Sequence, residues 1–344
     1  MKINMKLVTF GSCAFSTGRD NSAAVNQFPA VVYVNADTQK MQIIKENKGR
    51  SLDPNFVTGF VDAEGCFSLK VVSNPKSGKF KVQVVFSIGL HKKDRALLDL
   101  IKSFFGVGNV TDKPGRDVST FQVSSIKDVK VLLEHFDYYP LITKKRADYE
   151  LFKRAIGLIE SKEHLTVEGI NKLVAIKASI NKGLSSAFKA AFPNIQPIAR
   201  PLVPNQSIPH PQWLAGFTSG EGCFYISVGK PSSSGGSVIR LRFILTQHNR
   251  DNELMRSLVE YLACGGYFPG GEKQSWGNYE VKNFGNINQK IIPFFDKYPL
   301  QGEKAKDFSD FKKVALLMQS KAHLTREGLE EIIKIKSGMN TRRK

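Results

Sequence analysis

Val57-Thr58-Gly59-Phe60-Val61-Asp62-Ala63-Glu64-Gly65 returns 157 positions later as Leu214-Ala215-Gly216-Phe217-Thr218-Ser219-Gly220-Glu221-Gly222. In both copies the acid is followed by Gly-Cys-Phe, at Gly65-Cys66-Phe67 and Gly222-Cys223-Phe224. Gly59 and Ala63, like Gly216 and Gly220, stand four apart, a spacing that puts small residues on one helical face and lets two backbones come close. Where the two copies meet at that face, Glu64 and Glu221 end up side by side. Each then sits at a helix C-terminus, where the dipole disfavours negative charge, and next to a like charge as well. Such a pair is costly without a cation. Taken singly, each stretch also reads as a tight helix-to-strand turn; the recurrence favours the paired reading.

The repeat extends well beyond this segment. His91, Asp94 and Leu97 fall on His248, Asp251 and Leu254 at the same offset. Pro140-Leu141, Lys145, Asp148, Phe152, His164-Leu165-Thr166, Gly169, Ile176-Lys177 and Asn181 then recur 159 positions on, as Pro299-Leu300, Lys304, Asp307, Phe311, His323-Leu324-Thr325, Gly328, Ile335-Lys336 and Asn340. The extra residues enter between Asp251 and Phe295, where Gly265, Gly266, Gly270 and Gly271 absorb an insertion in a turn. A period this long exceeds that of a solenoid, so each copy is a domain-sized half and a pseudo-two-fold is expected. The division expected is a leader of unassigned role at 1–51, with a strand candidate at Val31–Val34, then a first half at 52–192. A linker at 193–209, punctuated by Pro193, Pro197, Pro201, Pro204 and Pro209, leads to a second half at 210–344.

Within each half the periodicity changes in the same order. Phe67, Leu69 and Val71, then Phe80, Val82, Val84, Phe86 and Ile88, alternate with other residues as two strands around an Asn74–Gly78 turn. Leu97, Leu98, Ile101 and Phe105 keep helical spacing until Gly106 and Gly108, and Leu254, Met255, Leu258 and Leu262 repeat that pattern. A second hairpin and C-terminal helices follow. The fold class expected is α+β, as two pseudosymmetric αββαββα halves, each with an antiparallel sheet that leaves one face free.

Among the 344 residues, 50 are Lys or Arg and 31 are Asp or Glu, a net charge of +19. That balance points to a polyanionic partner, nucleic acid first and an acidic membrane surface second. No apolar run reaches the length of a membrane span. Cys13, Cys66, Cys223 and Cys264 lack C-x-x-C spacing, which argues against a zinc cluster and a disulfide framework and for reduced thiols. Paired acids on a basic scaffold suit a divalent cation held by oxygen ligands, and with it metal-assisted phosphodiester hydrolysis.

With both segments in view, the chain resembles the single-chain, two-motif LAGLIDADG homing endonucleases of fungal organellar introns, from about residue 52 to the C-terminus. The resemblance implies that the motif helices pack together and that the two sheets form a DNA-binding saddle. It implies that Glu64 and Glu221 bind Mg²⁺ with help from the Ala63 and Gly220 carbonyls, that Mn²⁺ substitutes, and that Ca²⁺ supports binding without cleavage. It also places Lys145 and Lys304 in a water network near the metals, joined by Gln247 in the second half, where the first half has Leu90. The motifs depart from the family pattern at Val57-Thr58 and Ser219-Gly220, but both acids are kept. The activity implied is double-strand cleavage of DNA by a monomer, leaving short 3′ overhangs, in mitochondria. An RNA maturase acting on the host intron, and a DNA-binding protein that no longer cuts, are the alternatives.

The strand alternation assigns an outward face to DNA reading. In the first half it holds Ser68, Lys70, Val72, Asn74, Lys79, Lys81, Gln83, Val85 and Ser87; in the second it holds Tyr225, Ser227, Val238, Arg240, Arg242 and Thr246. A two-stranded ribbon fits the major groove, where Arg or Lys pairs with guanine and Gln with adenine. Different residues at matched positions imply an asymmetric target. Thr166 and Thr325, after His164 and His323, read as helix caps, and Phe104, Phe105, Phe294 and Phe295 read as core.

Overall fold

The computed structural model describes residues 52–73, 80–204, 207–229 and 238–343. The leader, its Val31–Val34 strand candidate, the Asn74–Gly78 turn and Lys79 lie outside the described residues. The first half opens with α1 (Pro54–Glu64), begun by Asp53, whose carboxylate accepts from the N–H groups of Asn55 (2.8 Å) and Phe56 (3.4 Å). Pro54 occupies the first turn, where its missing N–H costs nothing. Then come β1 (Gly65–Ser73), β2 (Phe80–His91), α2 (Arg95–Phe105), β3 (Asn109–Asp112), β4 (Val118–Val123), α3 (Ile126–Tyr138), α4 (Lys145–Glu160), α5 (Val167–Ser179) and a short α6 (Ser186–Ala191).

The second half repeats the order with α7 (Pro211–Glu221), β5 (Gly222–Val228), β6 (Ile239–His248), α8 (Asn252–Tyr261), β7 (Gly266–Pro269) and β8 (Trp276–Val281). A π turn at Ile287–Ile291 leads into α9 (Ile292–Lys297), followed by α10 (Glu303–Gln319) and α11 (Arg326–Ser337). Both sheets are antiparallel, ordered β1-β2-β4-β3 and β5-β6-β8-β7. The fold is α+β in two pseudosymmetric halves, as the periodicity predicts. Among the described residues no helix is long and apolar enough to cross a membrane.

One sheet face is packed. Phe67, two residues past the turn that follows Glu64, sits against Phe86, Phe136, Tyr149 and Phe152 with ring centroids 5.1–5.7 Å apart. Phe224 meets Phe243, Phe295, Phe308 and Phe311 at 5.3–5.9 Å in the other half. The aromatic after each acid therefore anchors the end of its motif helix to the core of its own half. Phe105 and Phe295 are buried with these clusters. Thr166 and Thr325 cap α5 and α11, their hydroxyls accepting from Gly169 (3.0 Å) and Gly328 (3.1 Å).

The Pro-rich stretch after α6 carries no helix or strand among its described residues, yet it is tied down along the first half. Arg200 pairs with the buried Asp148 at 2.8 Å, and the Ile198 carbonyl accepts from Ser179 Oγ at 2.6 Å. Arg343 holds Asp307 in the same way at 2.8 Å. The two buried aspartates also accept from the backbone N–H of Asn181 and Asn340, each 3.0 Å away. The amides of those asparagines reach the carbonyls of Phe67 and Phe224.

Candidate active site

Helices α1 and α7 cross at their small residues. A Cβ on Gly59 would lie 2.0 Å from the Trp213 carbonyl oxygen, and one on Gly216 would lie 2.0 Å from that of Phe56. The backbones thus touch where glycine alone fits. Asp62, fully buried in α1, accepts from Trp213 Nε1 of α7 at 2.9 Å, which joins the halves by a directed bond. The same carboxylate accepts from the N–H groups of Ile142 (3.0 Å) and Thr143 (3.2 Å) and from Thr143 Oγ1 (2.6 Å), and so shapes the loop before α4. Ser219 stands in the equivalent place, where its Oγ accepts from the Gln301 N–H at 3.2 Å.

Each acid is the last residue of its helix, with Gly65 and Gly222 turning the chain into the first strand. A Cβ on Gly220 would come within 3.3 Å of Glu64 Oε1, so the first acid reaches the neighbourhood of the second motif. Burial raises the carboxyl of Glu64, while Lys145 and Lys304 pull it back. Glu221 is pushed up to about 7 by burial and then by the charge of Glu64, against the same two lysines. Glu221 therefore titrates near neutral pH, as one of two carboxylates sharing a site does.

Lys145 opens α4 and sends its Nζ to the carbonyls of Ala63 (2.9 Å) and Val61 (3.0 Å). Burial pulls its ammonium down, against the charges of Asp62, Glu64 and Glu221. The Ala63 carbonyl is therefore already engaged by Lys145, and a carbonyl oxygen has a second lone pair. Lys304 lies close enough to both acids to act on their charges, but among the described residues its Nζ makes no hydrogen bond. Gln247 points its Oε1 at the N–H of His248 (2.8 Å) rather than at either acid.

The open sheet face carries the residues expected there by register: Ser68, Lys70 and Val72 lie opposite Val85, Gln83 and Lys81, and Tyr225 and Ser227 opposite Arg242 and Arg240. Ser87 pairs with Cys66 on the same face, and Val238 is 40% exposed. Val85 lies on this face but is only 3% exposed, so it is buried rather than presented to DNA as the alternation predicts; alternation fixes the face of a side chain and not its depth. Its counterpart Arg242 is held by the buried Glu280 in a short ion pair and lies over the Tyr225 ring at 5.8 Å. Thr246 Oγ1 donates to Asn278 Oδ1 at 2.7 Å. Glu280, Asn278 and Lys282, which bonds Glu280 at 2.9 Å, were not among the residues expected from sequence. They sit on β8 or just beyond it, and register pairs Glu280 and Asn278 with β6 residues.

A model of the LAGLIDADG endonuclease family matches residues 57–156 and 214–315. The chain is 37% identical over 302 residues to "Probable intron-encoded endonuclease 2" of Neurospora crassa, covering 84% of this chain. It is also 50% identical over 120 residues, 34% of this chain, to an uncharacterized protein in ND4 intron 1 of Podospora anserina, covering 26% of that protein. The chain spans 65% and 54% of the length of two Neurospora crassa relatives. The crystal structure of the LAGLIDADG homing endonuclease I-SmaMI bound to cleaved DNA superposes with a TM-score of 0.82 at 45% identity, covering 86% of this chain and 99% of that one. The same enzyme is known bound to an uncleaved DNA target in the presence of calcium ions. With the motif twice in order, the helices crossing at it and both acids in place, the chain belongs to the LAGLIDADG endonuclease family.

Proposed function

We propose that this chain is a homing endonuclease that cuts both strands of one long, asymmetric duplex DNA site as a monomer, leaving short 3′ overhangs. The observation that carries the reading is the pair of acids, Glu64 and Glu221, brought together by the α1–α7 crossing at a cost in burial and like charge. Such a cost is retained where a cation offsets it. The donors suit a hard divalent ion, Mg²⁺ in the working enzyme, because they are carboxylates flanked by the carbonyls of Ala63 and Gly220. Among the described residues no third His, Cys, Asp or Glu completes a closed cage. When bound, the ion supplies Lewis-acid stabilisation at the attacking and leaving oxygens of the phosphodiester. Lys145, anchored on the Ala63 carbonyl, orients solvent beside Glu64, and Lys304 does so beside Glu221.

The open face of both sheets reads base edges, and scattered lysines and arginines hold phosphates. Arg242, braced by Glu280, presents a fixed guanidinium, the form suited to guanine. The relatives' names support an intron-encoded protein that works in mitochondria. A cleavage selection on a randomised duplex library with Mg²⁺, run beside Ca²⁺ as a binding control, tests the reading. One long asymmetric site, cut with Mg²⁺ and only bound with Ca²⁺, is the expected result. Preference for intron RNA with no DNA cut under either ion would move the protein to a splicing role.

A further inference from the structure

Neither lysine helix is capped by the side chain of its own N-cap residue. Lys144 precedes α4 and Gly302 precedes α10, and neither supplies an acceptor to the first turn. Within the first half Thr143 Oγ1 accepts from the Lys145 N–H at 3.2 Å, and each helix receives a further, charged acceptor from the other half. Asp251 Oδ1, at the head of α8, accepts from the Lys144 N–H at 2.7 Å, and Asp94 Oδ1, at the head of α2, accepts from the Glu303 N–H at 2.7 Å. Those N–H groups are equivalent under the repeat, and each lies one residue before the lysine near the acids. Both aspartates stand at the N-cap position of their own helices, yet neither caps them there. They are turned outward to the neighbouring half instead. At Gly302 the fit is tight, since a Cβ there would meet Asp94 Oδ1 at 2.3 Å, and the backbone is at φ 68°.

We propose that Asp94 and Asp251 are positioning residues that act across the pseudo-two-fold, each half fixing the active-site lysine helix of the other. Asp251 sets α4 and so Lys145, which rests on the carbonyl next to Glu64; Asp94 sets α10 and so Lys304. A charged acceptor at a helix N-terminus satisfies an orphan donor and complements the dipole together. The arrangement gives the single chain a reason to keep its halves in contact beyond packing: each half adds a carboxylate to the hold on the other's lysine helix, in the first half beside the bonds from Asp62 and Thr143. A shift of about 1 Å in such a group lowers a rate by about 100-fold. The proposal rests on the endonuclease reading, and its signature is crossed: a change in one half disables the chemistry of the other.

The test uses the full-length chain, the duplex site recovered by selection, and a label on each strand, under single turnover with Mg²⁺. Asp94→Ala and Asp251→Ala are expected to slow opposite strands by at least about ten-fold, with DNA affinity in Ca²⁺ within about two-fold of the parent. Asp94→Asn and Asp251→Asn keep an acceptor and are expected to cut near the parent rate. Equal slowing of both strands, or Asn variants as slow as Ala, would overturn the proposal. Amide exchange supplies a readout independent of cutting: Asp251→Ala should deprotect the segment around Lys144, and Asp94→Ala that around Glu303. Loss of protection confined to the mutated half, or none, would contradict the crossed caps. A parent that cuts neither strand would remove the endonuclease reading and the catalytic part of the proposal with it, leaving exchange to decide the caps.

Discussion

The indole Nε1 of Trp213 donates to Asp62 Oδ2 across the contact between α1 and α7, at 2.9 Å, with both residues buried. Asp62 also receives three bonds from the loop before α4, so one carboxylate ties the second motif helix to the segment that carries Lys145. Trp213→Phe keeps the ring and removes the donor. It is expected to cost about 2 kcal/mol in a urea titration, because a bond to a buried charged acceptor is lost. A change below about 0.5 kcal/mol would show that this bond does not hold the halves together.

Gly59 and Gly216 set how closely the halves approach. Alanine at either position places a methyl group on a carbonyl oxygen of the facing helix, and side-chain repacking does not move backbone. Gly59→Ala and Gly216→Ala are each expected to destabilise the protein by about 3 kcal/mol or more. They should also reduce cleavage more than DNA binding, since the acids separate while the sheets persist. Unchanged melting in both variants would mean that the helices do not cross there.

Glu221 links stability to pH. Its carboxyl stands near 7 in the fold, against about 4.5 unfolded, so its protonated form is the one the fold favours. The stability this gives is fully present below about pH 4.5 and is lost as pH rises through 7. In metal-free buffer Glu221→Gln should therefore be more stable than the parent by up to about 3 kcal/mol at pH 8, with the gap closing toward pH 4.5. Divalent ions should release roughly half a proton per site near pH 7, read by calorimetry in buffers of differing ionisation enthalpy. A gap that does not change with pH would contradict the coupled pair.

Arg242 and Lys70 should fail differently. Arg242→Ala removes a guanidinium held in place by Glu280 and is expected to relax base preference at one position of the site, at about 1–3 kcal/mol. Lys70→Ala, on a side chain with no such brace among the described residues, should weaken all sequences alike and lower the salt slope by about one. Competition binding in Ca²⁺ against a panel of single-base variants separates the two. Equal loss of preference from both would show that the brace does not matter.

The repeat and the small-residue spacing carried most of the fold, because glycine at Gly59 and Gly216 is demanded by a backbone contact that no other residue permits. Alternation placed side chains on the correct sheet face but says nothing of depth, which is why Val85 was expected at the surface and is buried. Glu280 and Asn278 carry no signal in the sequence, because the second hairpin is short and its outward residues gain meaning only through register with β6. Asp94 and Asp251 were visible as repeat markers. Their role was not, since an offset reveals which residues correspond but not that each serves the opposite half.

In the proposed function Glu64 and Glu221 together form a metal-dependent centre for cutting DNA. Glu64→Gln and Glu221→Gln, assayed one at a time with Mg²⁺ on the selected duplex, measure it most directly. Each is expected to abolish double-strand cutting while binding in Ca²⁺ stays within about three-fold of the parent. Full cutting by both variants would contradict the assignment of the site.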